Sequence, residues 1–169
     1  MTGAEWNLRD IRPANHPLLR IAQLAAFLAS NDFLIDRLVE CRTAEEVRRL
    51  FSAEASDYWY THYIPATPTR ELPKRIGRMK SDLLGINLVS LIQYAYGAYN
   101  GNERLRERAF ALLEAIPAEE NRFMRRWRLY DLHPANAFQS QALLQLATEY
   151  CDPVSYTHLR AHETSLHLV

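Results

Sequence analysis

Residues Leu83–Tyr99, LLGINLVSLIQYAYGAY, decide the fold class. Apolar side chains fall on nearly every side of a helical wheel, and only Asn87, Ser90 and Gln93 interrupt them with strongly polar groups. The run falls short of the roughly 20 residues a membrane-spanning helix needs, so it reads as a central helix buried from several sides. Asn100-Gly101 ends it, because glycine accepts the left-handed conformation that closes a helix.

Downstream, Asn102 is placed to cap a helix whose Leu105, Ala109, Leu112, Leu113 and Ile116 recur at core spacing. Pro117 suits the first turn of a following helix, with Glu119 and Glu120 against its positive dipole end. A last helix is expected to bury Phe138, Ala142, Leu143, Leu146, Ala147 and Tyr150. Upstream, Pro17 opens a first helix with Leu18, Ile21, Ala22, Ala25 and Leu28 as its inner face. A short helix, DFLIDRLVE, is expected after Asn31, and Thr43 with Glu46 forms a capping box that opens EEVRRLFSA. The prolines of IPATPTRELPK are expected to keep residues 64–74 free of regular structure. With no window of period-two alternation, the expected fold is all-α: a compact, bundle-like domain of about seven helices.

A chain of 169 residues is long enough for one such domain, expected over residues 6–152. Twenty basic residues balance twenty acidic ones, so no net field selects nucleic acid or an anionic membrane as partner. Cys41 and Cys151 lack paired spacing, which fits a reducing compartment. MTGAEWNLRDIRPANHP has no apolar core of a signal peptide, and the expected location is cytoplasmic.

The tail SYTHLRAHETSLHLV holds His158 and His162 one helical turn apart, a spacing found in zinc hydrolases. The Glu of that pattern directly follows its first His, whereas Glu163 follows the second, and no third ligand stands nearby. Codons for the tail instead resemble a transposase mosaic end joined to sequencing-adapter DNA. Residues 153–169 are therefore expected to be non-native and without regular structure, and are set aside from site reasoning.

Three constellations carry candidate chemistry. LRDIRPANHPLLR gathers Arg9, Asp10, Arg12, Asn15, His16 and Arg20 around a helix start, where amides and guanidinium groups can hold a phosphate or carboxylate. The competing reading has Arg12 and Asn15 tie the turn and cap the helix. SDYWYTHY places Trp59 and His62 among Asp57, Tyr58, Tyr60 and Tyr63, able to stack on a base or sugar or to fill a core edge. In NRFMRRWRLY, Phe123, Trp127 and Tyr130 share one face, while Arg122, Arg125 and Arg126 lie on another that can meet a phosphate backbone. Glu119 is spaced to neutralise Arg122 instead. No glycine-rich phosphate loop, CxxC pair, serine elbow or HExxH occurs, so no cofactor and no catalytic set is expected.

The blocks WNLRDIRPANHPLLRIAQLAAFL, SDYWYTHY, KRIG, INLVSLIQYAYG, LLEAIPAEENR and SQALLQLATEYC together resemble the uncharacterised bacterial domain-of-unknown-function family 2851, across about Trp6 to Cys151. The resemblance implies the carboxy-terminal portion of a larger protein, with an amino-terminal half as its expected partner. It also implies that Cys151 opens a cysteine cluster able to hold zinc in an intact parent. It carries no activity. The leading expectation is thus an interaction or scaffold module. The alternative is an accessory domain of a nucleic-acid-processing enzyme, acting through Arg122, Arg125 and Arg126.

Overall fold

The computed structural model describes residues 11–151, so the histidine-rich tail, Arg9 and Asp10 lie outside the described residues. The fold is mainly α-helical, and the chain separates into two units, residues 1–84 and 85–169.

In the first unit a 3-10 turn, Pro13–Asn15, leads into α1 (Pro17–Ala29), α2 (Leu34–Glu40) and α3 (Ala44–Leu50). Pro17 takes the first position of α1, where its missing N–H is not needed. The helix ends where Ser30 Oγ and Asn31 Nδ2 donate to the carbonyls of Ala26 and Phe27, at 2.8 and 2.7 Å. The capping box of α3 forms as expected: Thr43 Oγ1 accepts from Glu46 N–H at 3.2 Å, and Glu46 Oε2 accepts from Thr43 N–H at 3.2 Å. Leu19, Phe27, Leu38, Val47 and Phe51 make the core, with the Phe27 and Phe51 rings stacked 5.0 Å apart. Arg48 grips both oxygens of Asp82 at 2.7 and 3.0 Å, fastening α3 to α4 (Arg78–Leu84).

Two expectations for this unit are corrected. The face of α1 formed by Leu18, Ile21, Ala25 and Leu28 points outward, and Leu19, Gln23 and Phe27 are buried instead. The apolar positions of α1 surround most of the helix, so periodicity alone does not choose between its faces. Residues 64–74 are also not devoid of regular structure. A small antiparallel hairpin pairs β1 (His62–Ile64) with β2 (Thr67–Pro68) across a turn where Ala66 has φ 60°. Pro68 is tolerated because a two-stranded ribbon leaves each strand an open edge.

The second unit holds a π-helical stretch Gly85–Val89, then α5 (Ser90–Tyr99), α6 (Glu103–Ala115), α7 (Arg122–Arg128), α8 (Ala137–Gln145) and a second π-helical stretch Leu146–Cys151. The opening sequence is helical throughout but is not enclosed from several sides. It buries Ile86, Val89, Ser90, Gln93 and Gly97, and leaves Leu91, Tyr96 and Tyr99 exposed. Gly101 at φ 64° ends α5, and Asn102 Oδ1 caps α6 by accepting from Leu105 N–H at 3.2 Å. The stripe Leu105, Ala109, Leu112 and Ile116 is buried as its spacing requires, with Leu113 half-buried.

Pro117 does not start a helix. It pairs with Asn136 in an isolated bridge beside the bond from Ala137 N–H to Ile116 O at 2.8 Å, which holds it extended. Asn121 is the cap instead, accepting from Phe123 and Met124 N–H at 3.0 Å each, so α7 begins at Arg122. The anchored start of α8 also rotates its inner face away from the expected one. Ala137, Ser140 and Ala147 are buried, whereas Phe138, Leu146 and Tyr150 are exposed.

Candidate functional site

The first two constellations lie in one unit and come together, because α1 and its preceding 3-10 turn both touch β1. Arg12 supplies the carbonyl that accepts from Asn15 N–H at 2.8 Å. The Asn15 side chain does not cap α1; its Oδ1 receives Arg20 Nη2 at 2.9 Å. Arg20 Nη1 donates to Gln23 Oε1 at 2.7 Å, and Gln23 Nε2 donates to the Lys74 carbonyl at 2.9 Å. The Lys74 ammonium in turn donates to the carbonyls of Tyr60 and Leu72, at 2.7 and 3.0 Å, and sits 4.3 Å over the Tyr63 ring. A continuous polar chain thus runs from the start of α1 to the hairpin. Burial lowers the pKa of Arg20 and of Lys74; that of Lys80 falls through burial and then through the charge of Arg20. His16 is buried, and its Nδ1 has no hydrogen-bond partner.

Around the hairpin, Tyr58 stacks flat on His62, with centroids 4.2 Å apart and planes 4° apart, and meets Trp59 edge-on. His62 Nδ1 lies 2.9 Å from the carbonyl oxygen of Tyr58. The Thr61 hydroxyl lies at the same distance, 2.9 Å, from that nitrogen. Tyr60 donates to Glu54 Oε2 at 2.5 Å, and Glu54 also holds Arg75. These partnerships lock the rings into the scaffold and leave Tyr58 48 % exposed.

Lys74 is the member that sequence reading missed. A lysine flanked by Pro73 and Arg75 reads as surface, and no local signal shows that two carbonyls will enclose it.

The arginine-rich segment forms α7, with Arg122, Arg125 and Arg126 exposed and Arg122 4.7 Å over the Phe123 ring. Its inward residue is Met124; Phe123 and Trp127 are half-buried and Tyr130 is exposed. Trp127 Nε1 donates to the Leu143 carbonyl at 3.0 Å, docking α7 on α8. The expected Glu119–Arg122 neutralisation is replaced: Glu119 accepts from Gln141, its N–H donates to Ser140 Oγ at 3.2 Å, and Glu120 pairs with Arg128.

Cys151 is half-buried at the end of the second π-helical stretch. Among the described residues no group of three His, Cys, Asp or Glu is arranged to hold a metal. Cys41 is buried, and burial, followed by the charges of Glu46 and Glu40, pushes its thiol up to about 11. It is therefore a protonated packing group at neutral pH.

The largest anomaly is apolar. Leu18, Ile21, Leu24 and Leu28 of α1 are 43, 47, 54 and 52 % exposed. With Ala25, also exposed, they form one uncharged stripe along the helix. Arg20 stands off it, held by Asn15 and Gln23. No single helix among the described residues is long and apolar enough to cross a membrane.

A family model described as "Protein of unknown function (DUF2851)" matches residues 1–122. No curated protein and no solved structure matches the chain.

Proposed function

The chain belongs to the DUF2851 family of proteins of unknown function, and on that premise we propose that it is an interaction module whose α1 stripe pairs with α1 of a second copy. The observation that carries this reading is the outward placement of Leu18, Ile21, Leu24 and Leu28. Water contact with these side chains costs about 25 cal/mol per Å² of apolar surface, so removing them from water drives association.

The occupant follows from the stripe itself. Leu18, Ile21, Ala25 and Leu28 step by three, four and three residues, the seam of a two-helix coiled contact. Laid antiparallel on a two-fold axis, Leu18 meets Leu28 and Ile21 meets Ala25, so every seam position faces an apolar side chain. Neither acid nor base lies in the stripe, which favours an uncharged, self-like partner, and the antiparallel arrangement sets opposite dipole ends together. A helix of 13 residues is about 20 Å long. One such pair buries less than the about 800 Å² per partner of stable complexes, so the dimer is a reversible one.

Sedimentation velocity at increasing protein concentration tests the reading. The expected result is a monomer–dimer equilibrium that Ile21→Glu and Leu24→Glu each abolish while helical circular dichroism persists. A chain that stays monomeric at every concentration, or a dimer indifferent to both substitutions, overturns it.

A further inference from the structure

We propose that a surface pocket between the end of α1, α2 and α3 binds a small hydroxylated phosphate monoester, with Arg37 and Arg49 taking the phosphate. The pocket measures about 480 Å³, within the range of small-molecule sites. Arg37 sits in the last turn of α2 and Arg49 in the last turn of α3, so two separate helices each contribute an arginine to the lining of one cavity. Neither makes an ion pair among the described residues, whereas Arg48 beside them is bound to Asp82. The planar donor fork of arginine matches the oxygens of a phosphate.

Two carboxylates also line the cavity, Glu40 and Glu46. Glu46 is committed to the backbone: its Oε2 accepts from Arg42 N–H at 2.7 Å and from Thr43 N–H at 3.2 Å. That leaves Glu40 as an available acceptor. Asn31 is a second, since its Nδ2 donates to Phe27 O and its Oδ1 is left to receive a hydrogen bond. A lining that carries two arginines beside the acceptors Glu40 and Asn31 suits a ligand with both a phosphate and hydroxyl groups, and the charges of Glu40 and Glu46 disfavour a bare polyanion. Cys41 in the wall stays protonated at neutral pH, so the pocket is built for binding and not for thiol chemistry.

Isothermal titration of the full chain with ribose 5-phosphate, inorganic phosphate and ribose tests this assignment. The expected result is saturable binding of ribose 5-phosphate, weaker binding of phosphate and none of ribose. Arg37→Gln and Arg49→Gln each weaken ribose 5-phosphate by at least about tenfold, whereas Glu40→Gln weakens it and leaves phosphate unchanged or tighter. All three side chains are exposed, so folding survives each change and a circular dichroism spectrum verifies it. No saturable binding at low ionic strength overturns the assignment. So does phosphate binding as tightly as its ester, or affinity unaltered in the Arg37→Gln/Arg49→Gln double variant.

Discussion

Gln23 on α1 donates through Nε2 to the carbonyl oxygen of Lys74, 2.9 Å away and 51 residues later in the chain. Its Oε1 accepts from Arg20 at 2.7 Å, so one amide serves both a guanidinium and a distant backbone. Gln23 is 2 % exposed, and removing it leaves a buried carbonyl without that partner. Gln23→Ala is expected to cost about 1–3 kcal/mol, read as a lower urea midpoint. Gln23→Leu, which fills the volume without the bonds, is expected to be no better. An unchanged midpoint for both refutes the role of the amide.

Lys74 extends the same chain from the other side. Its ammonium holds two carbonyls and covers an aromatic face, so Lys74→Met should loosen the hairpin and destabilise the first unit by about 2–3 kcal/mol. The pH dependence has a definite sign. Burial lowers the folded pKa below the ordinary lysine value, so just beneath that value the unfolded chain binds more protons. Stability therefore rises with pH across that window in the wild type, and Lys74→Met removes this rise. Urea midpoints measured from neutral to alkaline pH in both proteins check it.

These contacts show where sequence reading stops. Thr43 with Glu46, Asn102 and Gly101 were legible because a cap is a local bargain between a side chain and amides a few residues away. The α6 stripe was legible because charged residues mark its other side. The face of α1 was not, because Leu18, Ile21, Leu24 and Leu28 are as apolar as the residues buried opposite them. What turns the helix is polar: Gln23 is drawn inward by Lys74, and nothing near Gln23 in sequence shows it. The inner face of α8 was missed for a similar reason. The bond between Ala137 and Ile116 joins segments that pattern reading treats separately.

The α3 cap yields a prediction with an acid limb. Thr43→Ala should cost about 1 kcal/mol. Glu46 has its pKa lowered, first by the Arg42 N–H and then by Thr43. Its stabilising contribution is complete above the ordinary glutamate value and disappears as pH falls through the lower folded value. Glu46→Gln keeps an acceptor but cannot titrate, so the difference between wild type and variant should shrink on acidification below pH about 4. Chemical denaturation at several acidic pH values measures it. A difference independent of pH contradicts the proposed cap geometry.

Three glycines provide the last comparison, since each has a different reason for its position. A Cβ on Gly97 would lie 3.0 Å from the Asn102 carbonyl oxygen, 3.0 Å from Arg106 Cγ and 3.1 Å from Arg106 N. Arg106 Cγ can swing aside, but the two backbone atoms belong to the start of α6 and are fixed by its cap. Gly97→Ala gains up to about 1 kcal/mol of helix propensity and still should lose net stability, because overpacking of this kind costs about 1–3 kcal/mol. Gly97→Val should lose more, since it adds bulk without the full propensity gain. Gly101 has open space around it but sits at φ 64°, so Gly101→Ala should cost about 1 kcal/mol through backbone strain alone. Gly77 has neither constraint, but its carbonyl accepts from Ser81 N–H at 3.1 Å at the start of α4, a cap position that favours glycine over alanine, so Gly77→Ala should cost no more than about 0.5 kcal/mol. Thermal midpoints should therefore rank Gly77→Ala above Gly101→Ala, with Gly97→Val lowest. If Gly97→Val melts with the wild type, the close approach of α5 to α6 at this position is not real.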